Sequence, residues 1–192
     1  MFKVHLFFTV KLKMPYTRTW SEELIAEWLQ LKGYFVEISV PIRTAEPGGR
    51  PEADVLGIRI RDRVLEIMHV EVGSLPGGTE KNIQHIQKKF SSVNQKAIEE
   101  YCRKKLGFDG KASYENLYIA TYVSKETIEA TKKNNINIKH LDSFIKEDVI
   151  PAIDDWKEKP PFKPKTKGTT TLPDGLWLLH LVEKMMDIQL KR

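Results

Sequence analysis

The segment ADVLGIRIRDRVLEIMHVEVGS, residues 53–74, holds two runs of alternating apolar residues separated by a polar Arg61-Asp62-Arg63 step. Apolar residues at every second position mark a half-buried strand, and a short polar break between two such runs marks a hairpin. Asp54, Leu56, Ile58 and Ile60 share one face of the first strand, and Leu65, Ile67, His69, Glu71 and Gly73 share one face of the second. Both stripes are apolar beside the turn and polar at the far end. With Ile60 set against Arg63, Leu56 meets Ile67, Asp54 meets His69, and Glu71 lies diagonal to Asp54. Diagonal neighbours stand about 7–8 Å apart, so both carboxylates can reach one cation, and oxygen ligands suit a hard divalent ion.

Upstream, residues 18–32 read as a helix capped by Thr19 or Ser21 and stopped by Gly33, with Leu24, Ile25, Trp28 and Leu29 as its buried stripe. Tyr34, Val36, Ile38 and Val40 then alternate as a strand, and residues 43–50 form a Pro- and Gly-rich loop. Downstream, Thr79 caps a single long helix to about Leu106, with Ile83, Ile86, Phe90, Val93, Ala97 and Tyr101 as its apolar stripe. Lys88, Lys89, Lys96, Lys104 and Lys105 fall on the solvated face of that helix. A strand at 117–123, a helix at 125–133, a strand at 136–140 and a helix at 141–156 follow. The expected organisation is an extension at 1–13, an α/β domain at 14–156, a basic Pro-rich linker at 157–172 and an appended amphipathic helix at 173–192. Leu178, Leu181, Val182, Met185 and Ile188 form one stripe of that last helix, which must dock on its own domain or pair with a second copy as a homodimer.

The 192 residues carry 31 Lys and Arg against 26 Asp and Glu, a net charge of +5 that weakly favours a polyanionic partner. One cysteine, Cys102, excludes an intrachain disulfide and a cysteine-based zinc site, which fits a reducing cytoplasm. The five histidines lack metal-ligand spacing, and no apolar run approaches the roughly 20 residues of a membrane span. A soluble protein with no membrane partner is expected.

With these residues in place, the chain resembles the PD-(D/E)XK, or restriction-endonuclease-like, nuclease superfamily over about residues 18–123. EELIAEWLQLKGYFV (22–36) is similar to its opening helix and places Glu22 as the helix acid. PEADVLGI (51–58) resembles the second-strand motif and places Asp54 as a metal ligand. HVEVGS (69–74) resembles the third-strand motif and places Glu71 as the second ligand. The resemblance implies a mixed sheet flanked by helices, Mg²⁺ or Mn²⁺ as cofactor, and hydrolysis of nucleic acid, DNA foremost. It also implies a lysine two residues after the glutamate, where this chain has Gly73.

Phosphodiester cleavage needs a more acidic water and neutralisation of charge at phosphorus, and a carboxylate-held Mg²⁺ does both. Without the lysine, His69 is the expected substitute, since alternation sets it on the face of Glu71, while Lys81 should point to solvent. Two alternatives stand beside the nuclease: a degenerate relative that binds nucleic acid without cutting it, and a dimeric interaction module in which the acids are incidental.

Overall fold

The computed structural model describes residues 19–42, 51–134, 136–160 and 171–189. The N-terminal extension, the loop at 43–50 and residues 161–170 of the expected linker lie outside these residues. Helix α1 (Trp20–Leu31) begins at a reciprocal cap, in which the Thr19 hydroxyl accepts the Glu22 N–H at 3.2 Å and the Glu22 carboxylate accepts the Thr19 N–H at 3.3 Å. Strands β1 (Phe35–Pro41), β2 (Glu52–Arg61) and β3 (Val64–Ser74) follow as an antiparallel meander. Two helices, α2 (Thr79–Lys89) and α3 (Ser92–Leu106), lead to β4 (Lys111–Tyr122), which lies parallel to β3. Helix α4 (Lys125–Lys133) leads to the short parallel strand β5 (Ile138–His140). The result is an α/β protein with a five-stranded mixed sheet in the order β1-β2-β3-β4-β5.

Side-chain parity assigns the layers. Val55, Met68, Val70, Leu117 and Ile119 face one way and meet Leu24, Ile25, Trp28 and Leu29 of α1. The same layer takes α5 (Leu141–Phe144), a π-helical turn at Ile145–Val149, α6 (Ile150–Glu158) and the first turn of α7 (Trp177–Gln189). Leu56, Ile58, Leu65 and Ile67 face the other way, under Ile98 and Cys102 of α3, and Tyr118 and Ala120 continue that face under Ile86 of α2.

The expected single helix over 79–106 is two helices. Ser91 caps α3 by accepting the Asn94 N–H at 3.4 Å, while the Asn94 amide donates back to the carbonyls of Lys88 and Lys89 at 3.2 and 2.9 Å. These side chains satisfy the loose ends of both helices, so a break there costs little. It also resets the helical phase: Ile98 and Cys102 are buried, and Val93, expected in the stripe, is 58% exposed.

Helix α7 docks on its own chain. Glu27, itself buried, accepts the N–H groups of Leu178 at 3.1 Å and Leu179 at 2.9 Å, which are unpaired donors of the first turn of α7. Burial pushes its pKa up, against the two backbone hydrogen bonds that pull it down. Leu172, Leu176, Leu178 and Leu179 enter the core, whereas Leu181, Met185 and Ile188 of the expected stripe are exposed because the helix is pinned by its first turn. The expected linker boundaries also shift, since Lys157 belongs to α6 and reaches Glu183 of α7 at 2.5 Å. Glu27→Ala should strand two buried donors and cost about 1–3 kcal/mol in chemical denaturation; unchanged stability would show that this carboxylate does not hold α7. Among the described residues no helix is long and apolar enough to cross a membrane.

Candidate active site

The hairpin turn lies one residue further along the chain than the sequence suggests. Asp62 and Arg63 both have positive φ, 50° and 61°, and Arg61 pairs directly with Val64. A two-residue turn of that kind matches the strand twist, so the chain closes around Asp62-Arg63 and not around Arg61-Asp62. The register therefore differs by two residues from the expected one, which keeps the faces unchanged: Ile60 faces Leu65, Ile58 faces Ile67 and Leu56 faces His69. One rung past the last paired residues, Val55 and Val70, this register sets Asp54 against Glu71 straight across. The two acids are closer neighbours than the diagonal arrangement implied.

Glu71 is fully buried. Its Oε1 lies 2.7 Å from His69 Nε2, and its Oε2 pairs with the ammonium of Lys89. His69, also fully buried, meets the Tyr114 hydroxyl through Nδ1 at 3.0 Å and the edge of the Phe90 ring at a centroid distance of 5.0 Å. An ionised carboxylate only accepts, so His69 donates from Nε2, and as a neutral imidazole it accepts the Tyr114 proton at Nδ1. Burial alone would push the Glu71 pKa up, but the His69 hydrogen bond and the Lys89 charge more than offset it and hold Glu71 below its usual range.

His69 thus sits behind Glu71, and its ring nitrogens are both engaged. The expected direct role, orienting or deprotonating a metal-bound water, does not match this geometry, because no face of the imidazole reaches solvent. Its action on any bound group passes through Glu71.

Asp54 Oδ2 accepts the Val72 N–H at 2.8 Å, and its Oδ1 lies 4.0 Å from Lys89 Nζ. Burial and the neighbouring charge of Glu71 raise its pKa to about 7, against the pull of Lys89 and the Val72 N–H. Lys89, the last residue of α2, is the third member of the cluster. Desolvation disfavours its charge, yet Glu71, Asp54 and the more distant Glu52 raise its pKa overall. Glu52 joins the face because β2 begins there, paired with Pro41.

Reading residues 79–106 as one helix put Lys89 on the solvated face. Lys89 nonetheless follows Ile86 by three residues and Asn82 by seven, and those two are the buried residues of α2. That spacing was the available signal. Lys81 is exposed, as expected. Glu22 stands apart from the cluster, since its carboxylate caps α1, which packs on the opposite sheet face.

The place of the missing lysine is occupied. A Cβ at Gly73 would come within 2.8 Å of the Tyr118 hydroxyl, and the Tyr118 ring is buried beside the acids, with its pKa pushed up to about 12 by burial and then by Glu71 and Asp54. Gly73→Lys should therefore fail to supply a second ammonium and should cost about 1–3 kcal/mol through displacement of that ring. Thermal melts of Gly73→Lys and Gly73→Lys/Tyr118→Ala check this: a single variant as stable as the parent refutes the conflict.

Two carboxylates facing one cation fit Mg²⁺ or Mn²⁺, which keep several waters and need only one or two protein carboxylates. Glu71 Oε2 and Asp54 Oδ1 are the oxygens available, and Oε2 has no partner beyond the Lys89 ammonium among the described residues. No group of three or more His, Cys, Asp or Glu side chains converges among those residues, which does not suit zinc.

Comparison with known proteins adds a distant structural likeness. No family model and no curated protein matches the chain. The chain is similar to a crystal structure described as a protein of unknown function, AF1548, at 16% identity and a TM-score of 0.39. The match covers 70% of this chain and spans 64% of that one.

Proposed function

We propose that the protein is a restriction-endonuclease-like, Mg²⁺-dependent hydrolase of nucleic-acid phosphodiesters, with DNA as the first substrate to test. The carrying observation is the Lys89 ammonium set against Glu71 and Asp54 at one end of the central strands. The order helix, three strands, helices, strand supports the same reading. Asp54 and Glu71 would hold the metal. When bound, it would acidify a water and neutralise charge on the phosphate. Lys89 supplies a positive charge beside the reacting phosphate from α2, in place of a lysine two residues after the glutamate. His69 and Tyr114 keep Glu71 oriented and ionised. Exposed Lys88, Lys96 and Lys104 on α2 and α3 give the site's side of the sheet a surface for the phosphate backbone.

A second reading rests on the same contact. An internal ammonium can substitute for a metal, which would leave a metal-free binder of nucleic acid that does not cut. Incubation of labelled duplex, single-stranded and branched DNA and RNA with Mg²⁺ or Mn²⁺, beside salt-dependent binding, separates the two. Metal-dependent products are expected, together with affinity that falls steeply as salt rises. Salt-sensitive binding without products selects the binder, and absence of binding at low ionic strength refutes both. We further propose that a homodimer forms through the exposed Trp177, Leu181, Met185 and Ile188 of α7. Light scattering of Leu181→Glu/Met185→Glu tests it: unchanged mass from parent to variant excludes the pairing.

A further inference from the structure

Beside the acid pair, across the Phe90 ring, lies a cavity of about 330 Å³ between α2, β4 and the segment leading into β5. Its apolar walls are Ile86, Phe90 and Ile136. Among the described residues its polar lining is made of side-chain amides, those of Gln87, Asn116, Asn134 and Asn137. The Asn116 Oδ1 atom is buried there without a hydrogen-bond partner. A buried acceptor left unpaired costs about 1–3 kcal/mol, so a small rotation of the Asn116 amide toward a donor in the cavity is favoured. The Asn134 amide nitrogen is already committed to the Ala130 carbonyl at 2.8 Å, which leaves its oxygen as a second acceptor.

The chemistry of this lining is selective. A phosphate or carboxylate would find no cation among the described lining residues, and an aliphatic group would make no use of the amides. A flat, neutral heterocycle with N–H donors and ring acceptors at its edge satisfies both the amides and the aromatic wall. The volume is at the small end for ligand pockets, which suits one ring system.

Placement ties the cavity to the acids. Asn116 pairs with His69 across β3 and β4, and Tyr118, two residues on, pairs with Glu71. One strand spacing and two residues of rise separate the backbones of Asn116 and Glu71 by about 8 Å. Phe90 walls the cavity, contacts the His69 ring and directly follows Lys89.

We propose that this cavity is a nucleobase subsite, which receives an unstacked base next to the phosphate held by Lys89 and the acid pair. The inference rests on the nuclease reading and adds a substrate requirement: the strand must present an unpaired or flipped base near the cut, at the energetic cost of unstacking. Gln87 and Asn137 lie at its exposed rim and meet the edge of the base, and Asn116 receives a donor at its floor.

Metal-free titration of the full chain with nucleoside 5′-monophosphates, and separately with ribose 5-phosphate, reads the subsite through side-chain amide NMR signals of Asn116, Asn137 and Gln87. The nucleotides should shift these signals at millimolar concentration, ribose 5-phosphate should not, and Asn137→Ala or Gln87→Ala should weaken binding about three- to tenfold. Cleavage of a strand carrying one abasic position beside the cut bond should be at least tenfold slower than cleavage of the intact strand. Equal cleavage of abasic and intact strands overturns the subsite and leaves the nuclease reading standing. Amide shifts from nucleotides with no cleavage of any strand refute the nuclease reading and keep the base site. Equal responses to ribose 5-phosphate, or none to any nucleotide, refute the base site by showing phosphate binding or water alone.

Discussion

Lys89→Met is expected to lower metal-dependent cleavage about 10²- to 10³-fold, the usual loss when one preorganised charge is removed from a transition state. It should also destabilise the protein. The ammonium is the cation paired with Glu71, a fully buried carboxylate, and it faces Asp54 as well. Stripping one partner from a buried pair costs about 3–5 kcal/mol, and the lower end applies because about a third of the Lys89 side chain is exposed, 32%. Kinetics with Mn²⁺ and chemical denaturation of Lys89→Met beside Lys81→Met give the comparison. Lys81 is exposed on the same helix, so its variant should keep both activity and stability. Cleavage retained within threefold in Lys89→Met, while Asp54→Asn abolishes it, would remove Lys89 from the mechanism.

The facing carboxylates should respond to pH with opposite signs. Asp54 has its folded pKa raised from 3.8 to about 7, so the folded chain holds a proton that the unfolded chain releases at lower pH. The stability this group contributes is greatest at acid pH and is lost as the pH climbs through 7. Asp54→Asn keeps an oxygen for the Val72 N–H and removes the charge. It should therefore be more stable than the parent by about 2 kcal/mol at pH 8 and nearly level with it at pH 4, while losing metal-dependent cleavage. Glu71, whose pKa is held below 4.5, contributes stability that is present above that value and lost as the pH falls through its folded pKa. Glu71→Gln should therefore destabilise at pH 8. Thermal melts at both pH values without divalent ions test the pair, and an Asp54→Asn variant less stable than the parent at pH 8 contradicts the assigned charge burden.

Alternation fixed the two acids on one face of one hairpin, and the order of elements emerged from caps, glycines and apolar periodicity. Those are local signals, carried by residues near one another in the chain. What the sequence did not reveal depended on closure or on distance. Ile60 could be set against Arg63 or Leu65, and only the positive φ of Asp62 and Arg63 decides between them. The break at Ser91 rests on the Asn94 side chain choosing backbone partners one turn back, a choice a helical wheel does not weigh. With that break unseen, Lys89 read as solvent-facing. His69 was placed on the correct face, but its burial depends on Tyr114 and Phe90, 45 and 21 residues away.

The turn at Asp62 and Arg63 has a further consequence, for tolerance of insertions. Its first residue, Asp62, lies eight residues from Asp54, a distance of about 27 Å at 3.4 Å per residue. Side chains along that turn are exposed and should accept many replacements. Its length is another matter. One added residue that slid the register would send either Asp54 or Glu71 through the sheet to the layer beneath α1, unless a bulge absorbed it. Loops of this hairpin can therefore vary in letters among residues that tolerate a left-handed backbone while remaining fixed in number, and an insertion that slid the register would disable the distant acids without touching them.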